Sequence, residues 1–160
     1  TPIDPDDTAQ DLHDRLSKLG GELIIETIDG IISRQVTPTP QDNDLATYVS
    51  LLKKADGKID WAWSNEKIRA HINAMTPWPG AFTRLADKNL KIFKARPSNR
   101  KPGDNVPAGT IFCCDSQGIH TACGEGTLAI TELQGSSGKR LKSDDYLRGH
   151  AVSPPVQFES

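Results

Sequence analysis

Nowhere in this 160-residue chain do about 18 apolar residues run together, so no helix of membrane-spanning length is encoded. A charged, apolar, small-residue leader is missing too, which predicts a soluble, cytoplasmic protein with no membrane partner. Cysteine is scarce: Cys113, Cys114 and Cys123 are odd in number, two are adjacent, and no Cys-x-x-Cys pair exists. That arithmetic excludes a disulfide framework and argues against a metal site, even with His120 lying between Cys114 and Cys123. No Gly-rich phosphate loop occurs, and His13, His71, His120 and His150 stand outside any activated-nucleophile arrangement. His13 has Asp11 and Asp14 nearby, yet on a helix those neighbours are expected to point to different sides. No catalytic residue is assigned.

What is present is charge, unevenly spread. The net charge of −2 hides an acidic first 50 residues, with three basic against ten acidic side chains, and a remainder with sixteen against eleven. Between residues 53 and 101 twelve Lys and Arg face only four Asp and Glu, a local balance of +8. A polyanion suits that stretch, with nucleic acid the foremost candidate.

Pro5-Asp6-Asp7-Thr8 opens a helix whose stripe is Leu12, Leu16 and Leu19, and Gly20-Gly21 is expected to interrupt it. A second helix is predicted from about Glu22 to Ser33. Its Leu23, Ile24, Ile25, Ile28, Ile31 and Ile32 are too many for one wet face, which implies a larger covering body. Thr37-Pro38-Thr39-Pro40 then begins an extended, Pro-stiffened linker running to residue 57. Ser64 is an N-cap, Glu66 suits the helix dipole, and Ile68, Ile72 and Met75 make one apolar face, so a helix is predicted over Asn65–Met75. Pro77 stops it, and Pro79-Gly80 makes a turn that presents Trp78 at a corner. Trp78 is expected to plug the joint behind that turn, with stacking on a nucleotide the lesser reading.

From Ala81 the apolar period becomes two. Ala81–Leu85 and Leu90–Arg96 read as a hairpin around residues 86–89, followed by strands at 110–114, 119–123 and 127–134. Phe82, Phe93 and Phe112 alternate as core residues do. Polar loops at Pro97–Pro107 and Gly135–Arg140 carry basic tips, and Ser143 is expected to cap a last helical turn ended by Gly149. The expected class is α+β: helices, a linker, then a short helix leading into an antiparallel barrel of the oligonucleotide-binding (OB-like) type.

Lys58-Ile59-Asp60-Trp61, followed by the turn Pro77-Trp78-Pro79-Gly80-Ala81, resembles the carboxy-terminal portion of the methionyl-tRNA formyltransferase family. Pro2-Ile3, Asp7-Thr8, Leu12-His13-Asp14-Arg15-Leu16 and Leu19-Gly20 are similar to the last helices of that family's Rossmann-like catalytic domain. The resemblance implies three parts: residues 1–36 ending the catalytic domain, 37–57 as linker, and 58–160 as a tRNA-binding barrel. It implies an enzyme that moves a formyl group from 10-formyltetrahydrofolate to initiator methionyl-tRNA, acting as a monomer. The catalytic Asn, His and Asp of the family, and its Leu-Pro-x-x-Arg-Gly-type motif, are absent here, so no activity and no cofactor are expected of this portion without the amino-terminal catalytic domain.

The resemblance also implies which residues meet RNA. Lys53, Lys54 and Lys58 match the basic linker, Lys91, Lys94 and Arg96 the Leu-Lys-Ile-aromatic-Lys-Ala strand, and Lys139, Arg140 and Lys142 the Gly-Lys loop. Trp61, Pro77, Trp78, Pro79 and Gly80 are implied to be structural. Two departures stand out: Thr76 replaces the family's usual Asn, and the loop 97–107 is variable, so Arg100 and Lys101 are weak candidates. A related formyl-folate hydrolase or amino-sugar formyltransferase is the alternative, disfavoured by the basic density. A stand-alone single-strand-binding barrel ranks last, since it needs exposed aromatics as stacking platforms.

Overall fold

The computed structural model describes residues 1–136 and 138–159; Ser137, within the loop expected at 135–140, lies outside the described residues. Thr8 starts helix α1 (Ala9–Ile32) with a capping box, its hydroxyl accepting from the Asp11 amide while the Asp11 carboxylate accepts from the Thr8 amide. The expected break at Gly20-Gly21 does not occur, and α1 is one helix of 24 residues. Each glycine weakens a helix by about 1 kcal/mol relative to alanine but keeps its N–H, so the hydrogen-bond ladder continues through the pair. No residue of α1 is buried, and its Leu23, Ile24, Ile25, Ile28, Ile31 and Ile32 are all exposed. Among the described residues no helix is long and apolar enough to cross a membrane.

Residues 37–57 contain two short 3-10 turns, Asn43–Leu45 and Lys54–Gly57, and leave Tyr48, Val49 and Leu51 at least 90% exposed. Helix α2 (Asn65–Ala74) follows, capped at Ser64, whose hydroxyl accepts from the Lys67 amide. As the periodicity predicts, Ile68 and Ile72 are fully buried and Met75 packs beside them. The chain before α1 rests on α2: the Asn73 side chain donates to the Pro5 carbonyl and Arg69 pairs with Asp6.

Beyond α2 the chain turns through Pro77-Trp78-Pro79, with cis peptides before both prolines. Gly80 closes the turn by donating to the Met75 carbonyl at 2.8 Å. Its φ of +84° is the left-handed conformation that favours glycine, although a Cβ there would meet the Lys91 stem only at ordinary contact distance. The sequence then forms an antiparallel sheet: β1 (Ala81–Leu85), β2 (Lys88–Pro97), β3 (Thr110–Asp115), β4 (Gly118–Ala122), β5 (Thr127–Gln134), β6 (Leu141–Lys142) and β7 (Val156–Gln157). Spatial order is β1-β2-β5-β4-β3-β7, with β6 pairing β5. The first hairpin turn is only Ala86-Asp87, both with positive φ, tighter than the predicted four residues. Lys58 joins the sheet by a single bridge to Phe82.

The sheet curls until one segment touches both of its edges. Gln157 and Val156 pair with Thr110 and Ile111 of β3, and the Glu159 amide donates to the Arg84 carbonyl of β1 at 2.9 Å. Inside lie Ile59, Trp61, Ile92, Ile111, Ile119, Leu128, Ile130 and Leu133. Trp61 stacks on Phe158 with ring centroids 4.8 Å apart, and its indole N–H donates to Thr83 Oγ1 at 3.0 Å. Phe82, Phe93 and Phe112 are not core residues as expected; each is half-exposed. Ala81 and Thr83, Ile92 and Ile111 hold the inward positions next to them, and the strand period sends each phenylalanine to the other face. Helix α3 (Ser143–Gly149) closes the fold; Lys142, not Ser143, occupies the cap position, and Ser143 is buried as its first residue.

Candidate nucleic-acid interface

The strand register gathers several of the basic residues picked out in the sequence. Lys58 is bridged to Phe82, Phe82 lies opposite Lys91, and Lys91 lies opposite Gln134. Paired positions in a sheet share a face, so these four form one outward row. Lys54 joins it across a cleft of about 280 Å³ lined also by Pro79, Phe82, Asn89, Gly135 and Ser136. Lys53 stands just before that cleft, its backbone amide held by the Asp56 carboxylate at 2.7 Å. A second row crosses the sheet from Lys94 through Glu132 to Lys142. Arg96 is exposed further along β2, and Lys139 lines a different cleft beside Lys88, Tyr146 and His150.

Arg140 is differently placed from the lysines around it. Its guanidinium makes a two-pronged contact with Glu132 at 2.5 and 2.9 Å and lies 4.4 Å over the Phe93 ring. The same contact holds the Glu132 carboxyl below its ordinary value. Arg140 is therefore neutralised within the fold. Among the described residues no lysine, and not Arg96, takes part in an ion pair. The row of Lys58 and Lys91 with Lys54 beside it, on which no carboxylate stands, keeps its field for an external anion, whereas Glu132 lies between Lys94 and Lys142.

Trp78 is the principal correction. It does not plug a joint: it is 60% exposed, while Pro79 and Gly80 behind it are buried. The tight Pro-Trp-Pro turn points the indole outward, and Trp61 fills the core instead. Sequence reasoning also missed Lys88, Asn89, Gln134 and Ser136, which only the strand register and a loop closure bring to the clefts.

A polar network at the other end of the sheet was equally invisible. His120, 1% exposed, donates from Nε2 to the Asp115 carboxylate at 2.9 Å, and its Nδ1 is hydrogen-bonded to the Ser98 hydroxyl at 2.8 Å. Ser98 Oγ in turn accepts from the Arg100 amide, and the Arg100 guanidinium reaches Asp115 at 2.8 Å. The hydrogen bond from His120, helped by the Gln117 amide and Arg100, holds the Asp115 carboxyl down at about 2. No buried side-chain polar atom of this chain of bonds lacks a partner, which fits a clasp that ties the loop after β2 to the β3–β4 turn. It also occupies Arg100 with an internal carboxylate. Burial raises the Cys114 thiol to about 11 and that of Cys123 to about 12, so neither supplies a thiolate at neutral pH. On α1, His13 and Asp14 meet at 3.1 Å rather than diverging, but both are exposed to water.

Comparison with known proteins bears on the same chain. It is 43% identical over 154 residues to the methionyl-tRNA formyltransferase of Citrifermentans bemidjiense, covering 96% of this chain and 47% of that protein. With the methionyl-tRNA formyltransferase of Geobacter metallireducens it shares 42% over 158 residues, covering 98% and 49%. The chain thus spans about half the length of the curated relatives it matches. In fold it is similar to a crystal structure of a HypX variant from Aquifex aeolicus, with a TM-score of 0.68 over 92% of this chain and 27% of that one at 17% identity. HypX in complex with tetrahydrofolic acid gives 0.62 over 87% and 26%, at 18% identity. A family model for the formyl transferase C-terminal domain matches residues 51–151, and the chain belongs to that family.

Proposed function

We propose that this chain is the carboxy-terminal half of a cytoplasmic, monomeric methionyl-tRNA formyltransferase, and that its role is to hold initiator methionyl-tRNA by the backbone. On this reading residues 1–36 complete the Rossmann-like catalytic domain, 37–57 link it, and 58–160 form an OB-like barrel whose sheet is closed by the tail at Glu159. The formyl donor, 10-formyltetrahydrofolate, and the reacting centre belong to the catalytic domain. Lys53, Lys54, Lys58, Lys91, Lys94, Arg96, Lys139 and Lys142 contact phosphates; Arg140 contributes less, because Glu132 already neutralises it. The observation that carries the reading is the outward row of Lys58, Phe82, Lys91 and Gln134 with Lys54 beside it, on which no carboxylate stands.

Phosphate contacts position a nucleic acid without reading its sequence. Binding by this chain is therefore expected to be steeply salt-dependent and nearly equal for initiator and elongator tRNA. Reversing Lys53, Lys54 and Lys58 to Glu lowers the slope of log affinity against log salt by roughly 0.7 to 0.9 for each phosphate no longer neutralised. Fluorescence anisotropy with labelled tRNA over a salt series measures it; an unchanged slope removes the linker from the site. The alternative, a formyl-folate hydrolase or amino-sugar formyltransferase, has no use for these lysines and predicts no tRNA binding even at low salt.

A further inference from the structure

Beside the lysine rows lies a second cleft, of which only Lys139 has been given a role. A cleft of about 300 Å³ opens at the end of the curled sheet, between the β1–β2 turn, the loop after β5 and α3. Its floor is apolar, from Leu90, Leu141 and the ring of Tyr146, and its rim carries Lys88, Lys139 and His150. No carboxylate lines it, and neither lysine is paired within the described residues. His150 is held there: its ring stacks on Tyr146 at 4.3 Å, and Nδ1 donates to the Tyr146 carbonyl at 3.2 Å, so Nε2 is the ring nitrogen left for a ligand and donates to an anion as the imidazolium.

Position gives this cleft its meaning. It shares Gly135 and Ser136 with the cleft that holds Lys54 and Lys91, so two cationic hollows abut across one short loop. A single small anion fills one of them, whereas a ligand with charges repeated along a chain spans both. Apolar walls exclude water from part of each hollow and strengthen the attraction of a lysine for an anion inside it.

We propose that the hollow framed by Lys88, Lys139 and His150 is a phosphate-binding site, and that its natural occupant is a backbone phosphate of the RNA strand also held by Lys54 and Lys91. This assignment of the occupant rests on the tRNA-binding reading above; the site itself does not. Lys88 was one of the twelve basic residues counted between 53 and 101 and His150 was marked by neither charge nor resemblance; residues 88, 139 and 150 meet only when β2 pairs with β5 and α3 packs beside them.

The test uses the full chain and two probes, inorganic pyrophosphate and tRNA, with Lys88→Gln/Lys139→Gln as the variant. Both lysines are exposed, so the variant should fold, and thermal melting checks that it does. Removing both charges lowers the tRNA salt slope by roughly 1.4 to 1.8, which between 1 M and 0.1 M salt corresponds to an affinity loss of about 25- to 60-fold. In NMR titration, pyrophosphate shifts the His150 ring resonances of the wild type and not of the variant. Wild-type tRNA binding with an unaltered slope in the variant overturns the RNA assignment while leaving the tRNA reading intact. Absence of any tRNA binding, with a pyrophosphate shift at His150, supports a phosphate site and refutes the tRNA reading. An unmoved His150 resonance at millimolar pyrophosphate overturns the site.

Discussion

Trp61 and Thr83 offer the sharpest test of how this curled sheet is held together. The indole is 2% exposed, flat against Phe158, and its N–H has Thr83 Oγ1 as partner at 3.0 Å. A buried ring of this size removes about 150 to 250 Å² from water, roughly 4 to 6 kcal/mol at 25 cal/mol per Å². Trp61→Ala keeps the Cβ and is expected to cost about 3 to 5 kcal/mol, a large part of a small domain's stability. It also frees Phe158, and with it the tail that joins β3 to β1. The informative variant is gentler. Thr83→Val preserves shape and leaves the indole N–H buried without an acceptor, a cost of about 1 to 3 kcal/mol. In a Trp61→Phe background the same change removes a hydroxyl that has already lost its donor, and is expected to be nearly neutral. Urea denaturation of the four proteins gives the coupling, expected near about 1 to 3 kcal/mol. An equal cost of Thr83→Val in both backgrounds would refute the hydrogen bond as a source of stability.

Other consequences are as direct. Trp78→Ala, at an exposed corner, should change stability by no more than about 0.5 kcal/mol; a loss above about 3 kcal/mol would return Trp78 to the core, and a loss of tRNA affinity alone would make it a stacking platform. Asp115 has a folded value of about 2 against an ordinary 3.8, so its ionised form stabilises the fold fully above the ordinary value and the contribution fades as pH falls toward 2. Asp115→Asn should accordingly flatten the stability curve between about pH 5 and pH 2 in denaturant titrations; an unchanged curve would mean that the His120 clasp contributes nothing.

Much of this was legible in the sequence where the determinants are local. The Ser64 cap, the stripe Ile68–Ile72–Met75, the stop at Pro77 and the strands from Ala81 to Gln134 depend on neighbours within a few residues, and period alone exposes them. Gly20-Gly21 misled because a weak helix propensity is not a break. The phenylalanines misled because a period of two identifies alternating faces without saying which one turns inward. Here the branched aliphatics took the inside and left Phe82, Phe93 and Phe112 half outside.

The candidate site divides along the same line. The charge imbalance, the family and the lysines available to meet an anion are properties of the linear chain, since composition and motif survive any arrangement of it. Which of those charges stay free was settled by folding. The curled sheet placed Glu132 under Arg140, joined Asp115 to His120 and Ser98, and brought Lys88, Lys139 and His150 to one hollow. Those outcomes depend on register and curl, which set distances between residues remote along the chain, and no local pattern encodes them.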